Sequence, residues 1–352
     1  MTPVVSPSPP DLRRVYGPQG RSRWLDVDWR THQHWTIVDD TPINVIELGE
    51  GPALVFVHGL SGSWPNWLEQ LPVFAAGRNG DSGLGPVSPG FGRNGDSGLG
   101  PVSPGFGRNG DSGLGPVSPG FGHRVIALDL PGFGRSPMPP GGEVSITGYA
   151  DLIDALLEQL GVESAAVVGN SMGGFISAEL AIRHPQRVER LVLISPAGLS
   201  THQDPRILRY LPWVRRMERL AAAYGGWVAS HSDAVARRPV LRNAFFGMIV
   251  PHPRQLPAAL VSEQLRGAGK PGLVAATQAI SDYDLRPRLE QIACPTLVVW
   301  GDRDRVISRR DLEVFAELIP GARKVMYEDT GHMSQLERPA EFNALLAEFL
   351  AE

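Results

Sequence analysis

Cysteine is almost missing from this chain. Cys294 stands alone, so no internal disulfide can form and cysteine usage gives no sign of secretion. Lysine is nearly as scarce: Lys270 and Lys324 are the only two, and arginine carries the rest of the basic charge. A formal net charge of −4 over 352 residues offers no general attraction to nucleic acid or to an anionic membrane. Long apolar runs are lacking too. The opening Met1-Thr2-Pro3-Val4-Val5-Ser6 has neither a basic start nor an apolar stretch. Neither a signal peptide nor a transmembrane helix is therefore expected, and a cytoplasmic protein is the default. No His, Cys or Asp cluster has metal-ligand spacing, and the glycine-rich Pro131-Gly132-Phe133-Gly134-Arg135-Ser136 is followed by neither G-x-G-x-x-G nor G-K-[ST]. Neither a metal nor another cofactor is expected.

What is present is a soluble globular composition, 42% apolar and 20% charged, organised around one stretch. Ala165-Ala166-Val167-Val168 is a short run of small and β-branched residues that suits a strand buried on both faces. Gly169-Asn170-Ser171-Met172-Gly173 follows it as G-x-S-x-G, and Phe175-Ile176-Ser177-Ala178-Glu179-Leu180 reads as a helix. Strand, sharp turn and helix are the context in which G-x-S-x-G is a nucleophile elbow, with Ser171 held clear of the backbone and the Met172 N–H at a helix N-terminus.

The rest of the chain alternates strands and helices. Thr36–Val38 and Ile43–Leu48 read as antiparallel strands, and Ala53–Val57 as a buried strand ending in His58-Gly59-Leu60. Residues 64–76 have helical spacing, as do 149–160, 309–319 and 339–350; further strands are expected at 125–130, 191–195, 296–300 and 324–327. Residues 1–34, rich in proline and arginine, are expected to form a flexible N-terminal tail. The core is expected over 35–197 and 288–352, and the arginine-, proline- and aromatic-rich stretch 198–287 reads as a helical cap. Residues 77–121 interrupt the core with a fifteen-residue unit, Gly77 to Phe91, repeated unchanged at 92–106 and 107–121. Its glycine and proline content and small apolar surface predict a disordered insertion. Gly80-Asp81-Ser82-Gly83 within the unit resembles the serine motif of trypsin-like proteases, but those are double β-barrels and this chain alternates strands and helices.

Such alternation predicts an α/β fold: a mostly parallel sheet with helices on both faces, its chemistry at the carboxyl ends of the strands. Ser171, then Asp302 and Asp304, then His332 all fall at that edge. A serine hydroxyl needs an imidazole to take its proton, and the imidazole needs a carboxylate to hold its tautomer.

Together with His58-Gly59, Asp129-Leu130-Pro131-Gly132, Gly169-Asn170-Ser171-Met172-Gly173-Gly174, Trp300-Gly301-Asp302-Arg303-Asp304 and Gly331-His332, this order resembles the α/β-hydrolase superfamily over roughly residues 35–352. The resemblance implies a Ser171, Asp304, His332 triad, with Asp302 as a turn residue. It also implies an oxyanion hole from the N–H groups of Leu60 and Met172, with His58 shaping that turn. The expected activity is cleavage of a carboxylic ester through an acyl-enzyme, on a small apolar ester or acyl substrate, with no nucleic acid and no stable membrane insertion. The same wording resembles C–C bond hydrolases of the meta-cleavage type and cofactor-free perhydrolases. A non-catalytic binding protein on this fold is the remaining alternative.

Overall fold

A computed structural model describes residues 15–76, 122–200 and 226–352. Eight strands form one sheet: β1 (Gln33–Val38), β2 (Thr41–Leu48), β3 (Ala53–Val57), β4 (Arg124–Leu128), β5 (Ala165–Asn170), β6 (Val188–Ile194), β7 (Thr296–Gly301) and β8 (Arg323–Tyr327). Their order is β1-β2-β4-β3-β5-β6-β7-β8. The β1–β2 and β2–β4 pairings are antiparallel, and every other pairing is parallel. The β1–β2 hairpin turns through Asp39 and Asp40, both at positive φ, as a two-residue loop between right-twisted strands requires.

Side-chain alternation divides the core between the two faces of the sheet. Val167 of β5 and Val298 and Trp300 of β7 pack on one side with α2 (Ile146–Gln159) and α3 (Met172–Arg183). Their neighbours Ala166, Val168, Leu297 and Val299 face the other side, against Trp67, Phe74, Phe342 and Phe349. Both faces are covered, which is why β5 and β7 are buried at every position rather than alternating with polar residues. The Ser145 hydroxyl caps α2 by accepting the Gly148 N–H at 2.9 Å.

Two local readings change. The helical spacing of 64–76 resolves into a 3-10 turn at Trp64–Trp67 and a short helix α1 (Leu71–Ala75), each with a proline in its first turn. The flexible tail expected over 1–34 gives way over residues 15–34, which lie against the domain. Trp24 is buried and its indole N–H donates to Glu69 Oε1 at 2.8 Å, beside the Ser22 hydroxyl at 2.7 Å. Trp29 packs on Trp64 with ring centroids 4.9 Å apart. Aromatic rings with polar tips bury large areas from a short segment, and that outweighs its proline and arginine content. Residues 1–14 lie outside the described residues.

Between β6 and β7, the described residues 226–287 form α4 (Ser232–Arg237), α5 (Pro239–Phe246), α6 (Ala258–Arg266) and α7 (Gly272–Asp282), with no strand among them. Phe246, Leu260, Val261 and Leu265 pack against Leu68, Met333 and Leu336 of the core. The buried Arg242 guanidinium donates to the carbonyls of Ala236 and Leu256, joining the turns that link these helices. Residues 201–225 of the expected cap lie outside the described residues.

The expected repeat, 77–121, also lies outside the described residues, but its two ends do not. The Gly122 N–H donates to the Ala76 carbonyl at 2.9 Å, and the His123 N–H to the Phe74 carbonyl at 2.9 Å. The chain thus leaves and re-enters at one point. That point adjoins the start of β4, at the sheet edge opposite the one that carries Ser171. Joining Ala76 to Gly122 keeps the Phe74–His123 bond as an i→i+4 turn. Deletion of 77–121 is therefore expected to leave the fold intact. Its melting temperature should stay the same or rise slightly, because a loop of that length costs about 2 kcal/mol of closure entropy relative to a short one. Thermal unfolding of the deletion variant checks this, and loss of folding would give the insertion a structural role.

Candidate active site

The site begins with the pairing of β3 and β5. Val57 lies opposite Gly169, so the turns that follow, His58-Gly59-Leu60 and Ser171-Met172, emerge side by side. A Cβ built on Gly59 would lie 3.0 Å from Ser171 Cβ, which puts the first turn directly against the serine. Ser171 has φ 56° and ψ −119°, a conformation that costs a non-glycine residue on the order of 1–3 kcal/mol. That strain is held by the Ser171 N–H donating to the Ile194 carbonyl at 2.9 Å and by the Ser171 carbonyl accepting from Phe175 and Ala197. A Cβ at Gly173 would collide with the carbonyl oxygens of Val57 and His58, so only glycine lets α3 start this close to β3.

His58 fixes the first of these turns. Its Nε2 accepts the Leu130 N–H at 3.0 Å, so Nδ1 carries the proton and donates to the Gly59 carbonyl at 2.8 Å. Complete burial pushes its pKa down, which keeps the ring neutral and this tautomer in place. The ring shapes the turn and has no nitrogen left for chemistry. Among the described residues no acceptor takes the N–H of Leu60 or of Met172. Two free donors at adjacent strand ends are what an oxyanion hole requires.

The other two candidates arrive from β7 and β8. Asp304 Oδ2 accepts from His332 Nδ1 at 2.8 Å, and Asp304 Oδ1 accepts the N–H groups of Val306 and Ile307 at 2.8 and 3.0 Å. The Asp304 side chain is 0% exposed and that of His332 7%, so the pair is shielded from water. Asp302 turns away: its Oδ1 accepts the Thr330 N–H at 3.2 Å and braces the loop that carries His332. With Nδ1 committed to Asp304, His332 Nε2 is the nitrogen left to exchange a proton. β5 and β8 are three strands apart, roughly 14 Å, and the chain from Glu328 to Gly331 brings His332 back to the serine.

Two groups that fix His332 are not legible as functional in the sequence. Asn170 Nδ2 donates both to the Ile194 carbonyl at 3.1 Å and to the His332 carbonyl at 3.2 Å, tying the base to the elbow. The Ile249 carbonyl accepts the His332 N–H at 2.9 Å. Asn170 stands inside the G-x-S-x-G motif, so its position was visible and its partner was not.

Ser171 and His332 share a cavity of about 560 Å³. Leu60 forms one wall, and the segment between β6 and β7 contributes Trp227, Phe245, Phe246, Ile249 and Leu265. Among the described residues that line it, His332 is the only titratable side chain; the other polar ones are Ser61, Asn66, Asn170, Ser171 and Gln264. Asn66 donates to Gln264, and Gln264 to the Pro65 carbonyl at 2.8 Å, so that polar wall is largely satisfied internally. No grouping of His, Cys, Asp and Glu among the described residues is placed to hold a metal ion, and no helix among them is long and apolar enough to cross a membrane.

The family model for the alpha/beta hydrolase fold matches residues 87–339. The chain is 32% identical over 239 residues to the 2-hydroxymuconate semialdehyde hydrolase of Pseudomonas putida, covering 65% of this chain and 77% of that protein. It is 29% identical over 328 residues to the 2-hydroxy-6-oxo-6-phenylhexa-2,4-dienoate hydrolase of Comamonas testosteroni, over 90% of this chain and 93% of that one. Among solved structures, Est816, an N-acyl homoserine lactone degrading enzyme, superposes with a TM-score of 0.60 at 27% identity, covering 90% of this chain and 100% of that one.

The two aspartates give a direct test of the site. Asp304→Asn is expected to lower kcat by up to about 10⁴-fold, because an amide holds the imidazole in the wrong tautomer. Asp302→Asn, which weakens one hydrogen bond to a loop, should cost about tenfold or less. Steady-state kinetics on both variants checks the order, and the reverse order contradicts the assignment.

Proposed function

The chain belongs to the α/β-hydrolase fold family, and from that premise we propose that it is a serine hydrolase cleaving a carboxylic ester with a small apolar acyl group. The observation that carries the reading is the buried Asp304–His332 pair opening, with Ser171, on one apolar cavity. In the proposed reaction His332 Nε2 takes the Ser171 proton as Oγ attacks the ester carbonyl, and Asp304 stabilises the imidazolium that forms. The carbonyl oxygen becomes an oxyanion facing the Leu60 and Met172 N–H groups, whose fixed orientation needs no rearrangement as charge develops. The C–O bond then breaks, His332 returns the proton to the departing alkoxide, and the acyl group stays on Ser171. Water, deprotonated by His332, attacks the acyl-enzyme; the acyl C–Oγ bond breaks, His332 returns the proton to Ser171 Oγ, and the acid is released. The absence of acid or base side chains among the described lining residues, His332 apart, suits an uncharged acyl chain.

The relatives support a second reading, hydrolysis of a C–C bond in a dienoic ring-fission product, since both the Pseudomonas and the Comamonas protein carry such names. A dienoate substrate has a carboxylate to satisfy, and a site built for it needs a cation or several donors. The residues between 201 and 225 include Arg206, Arg209, Arg215, Arg216 and Arg219, all outside the described residues. A substrate panel separates the readings: short-chain chromogenic esters on one side, vinylogous dioxo acids on the other. Faster turnover of the esters by at least about tenfold in kcat/KM supports ester hydrolysis, and the reverse supports C–C cleavage. On either substrate class Ser171→Ala is expected to leave less than about a thousandth of the wild-type kcat, with thermal stability unchanged, since alanine keeps the Cβ and hence the backbone strain.

A further inference from the structure

Glu337, at the end of the short helix α8 (Ser334–Glu337), is buried, and the reaction proposed above gives it no part. Its carboxylate straddles the base. Oε2 accepts the Gly331 N–H at 2.8 Å and Oε1 the Met333 N–H at 2.9 Å, the two peptide groups that flank His332. The peptide N–H between them, that of His332 itself, goes to the Ile249 carbonyl at 2.9 Å. Three successive N–H groups are therefore held by two acceptors on opposite sides of the loop. Oε2 also accepts the Tyr16 hydroxyl at 2.8 Å, and the Gly17 N–H donates to the Glu337 backbone carbonyl at 2.6 Å. The N-terminal segment thus sets a phenol on this carboxylate.

The surroundings of the carboxylate are known from each side. From the N-terminal segment comes Tyr16. From the base loop comes His332, whose charge favours the ionised carboxylate. From the same helical stretch comes Arg338, whose guanidinium lies 5.3 Å from the Tyr16 ring centroid and donates to Thr330 Oγ1 and the Glu328 carbonyl. His252 packs edge-on to Tyr16 at 5.2 Å and is itself bonded to Asp329 at 2.8 Å, which also holds Arg303. Burial pushes Glu337 up to about 7, against the hydrogen bonds and the His332 charge that pull it down.

We propose that Glu337 is a positioning residue for the base His332, its ionised carboxylate clamping the loop and favouring the imidazolium, with Tyr16 seating that carboxylate. The proposal rests on the serine-hydrolase reading for its functional meaning, and its geometry stands apart from the substrate. The signs follow from the charges. Protonating or neutralising Glu337 withdraws an anion from behind the imidazole, so the imidazole binds its proton less readily. Removing the Tyr16 hydroxyl withdraws a donor that favours the charged carboxylate, so Glu337 takes up its proton at higher pH.

The test compares E337Q and Y16F with wild type on a chromogenic ester, with thermal melting to establish folding. In E337Q, kcat should fall at least about tenfold with KM within about twofold, and the acidic limb of the pH profile should move to lower pH. In Y16F the fall should be smaller, about two- to fivefold, and the limb should move in the same direction by less, because a more readily protonated carboxylate leaves the imidazolium less favoured. Displacement of the limb to lower pH in both variants distinguishes positioning of the base from a packing lesion, which lowers the rate and leaves the limb in place. Y16F decides the matter if E337Q does not fold. Unchanged kcat in the folded variants, or limbs that stay where they are, overturns the proposal. An NMR titration of ring-labelled His332 needs no substrate: the imidazole midpoint should differ from wild type in whichever variant folds, and a midpoint identical to wild type overturns the proposal. Wild-type protein inert toward every ester would count against the ester reading alone.

Discussion

The start of α3 lies hard against the end of β3. A side chain at residue 173 would collide with the Val57 and His58 carbonyls, and the glycine there lets the helix begin within van der Waals contact of the neighbouring strand. That contact forces the tight turn in which Ser171 sits at φ 56°. The pairing of β3 and β5 in register up to Val57 and Gly169 brings the turn that carries Leu60 beside the turn that carries Met172. The strained turn at Ser171 is thus a consequence of one packing constraint. The strain is sustained by a sheet whose central strands are buried on both faces.

The proposed base is fixed by a different kind of interaction. Ser171 gains its position from its own strand and helix, whereas His332 sits on a loop and is held by groups from distant parts of the chain. Asp304 orients the ring, Asn170 holds the carbonyl, Ile249 holds the N–H, and Asp302 braces Thr330 upstream. Each acceptor is buried or half-buried, where a hydrogen bond lost leaves a group without water to replace its partner. One of these acceptors, Ile249, belongs to the segment between β6 and β7, so the wall of the cavity and the base share a support.

Much of this was legible in the sequence. The strands show as unbroken apolar runs because a parallel sheet covered on both faces has no polar side to alternate with. The candidate site groups show because such a sheet collects its chemistry at one edge, and Ser171, Asp304 and His332 each follow a run of that kind. The docking partners of residues 15–34 have no local sequence signature, for an equally physical reason. Tyr16 and Glu337 are separated by 321 positions, and Trp24 finds its acceptor on Glu69; no local pattern records such partners. The aromatic residues Tyr16, Trp24 and Trp29 in a short proline- and arginine-rich stretch were the available signal of docking. Likewise Asn170 and Glu337 were ordinary polar residues until the fold placed peptide groups against them.

The central claim is that Ser171 is the one serine made nucleophilic by this arrangement. The most direct measurement is peptide mass spectrometry of the native protein after reaction with a fluorophosphonate, which bonds covalently to an activated serine. The account predicts a single adduct, on Ser171, and none on the protein after heat unfolding. No adduct on the native protein, or an adduct on Ser82, Ser97 or Ser112 of the repeat, would contradict it.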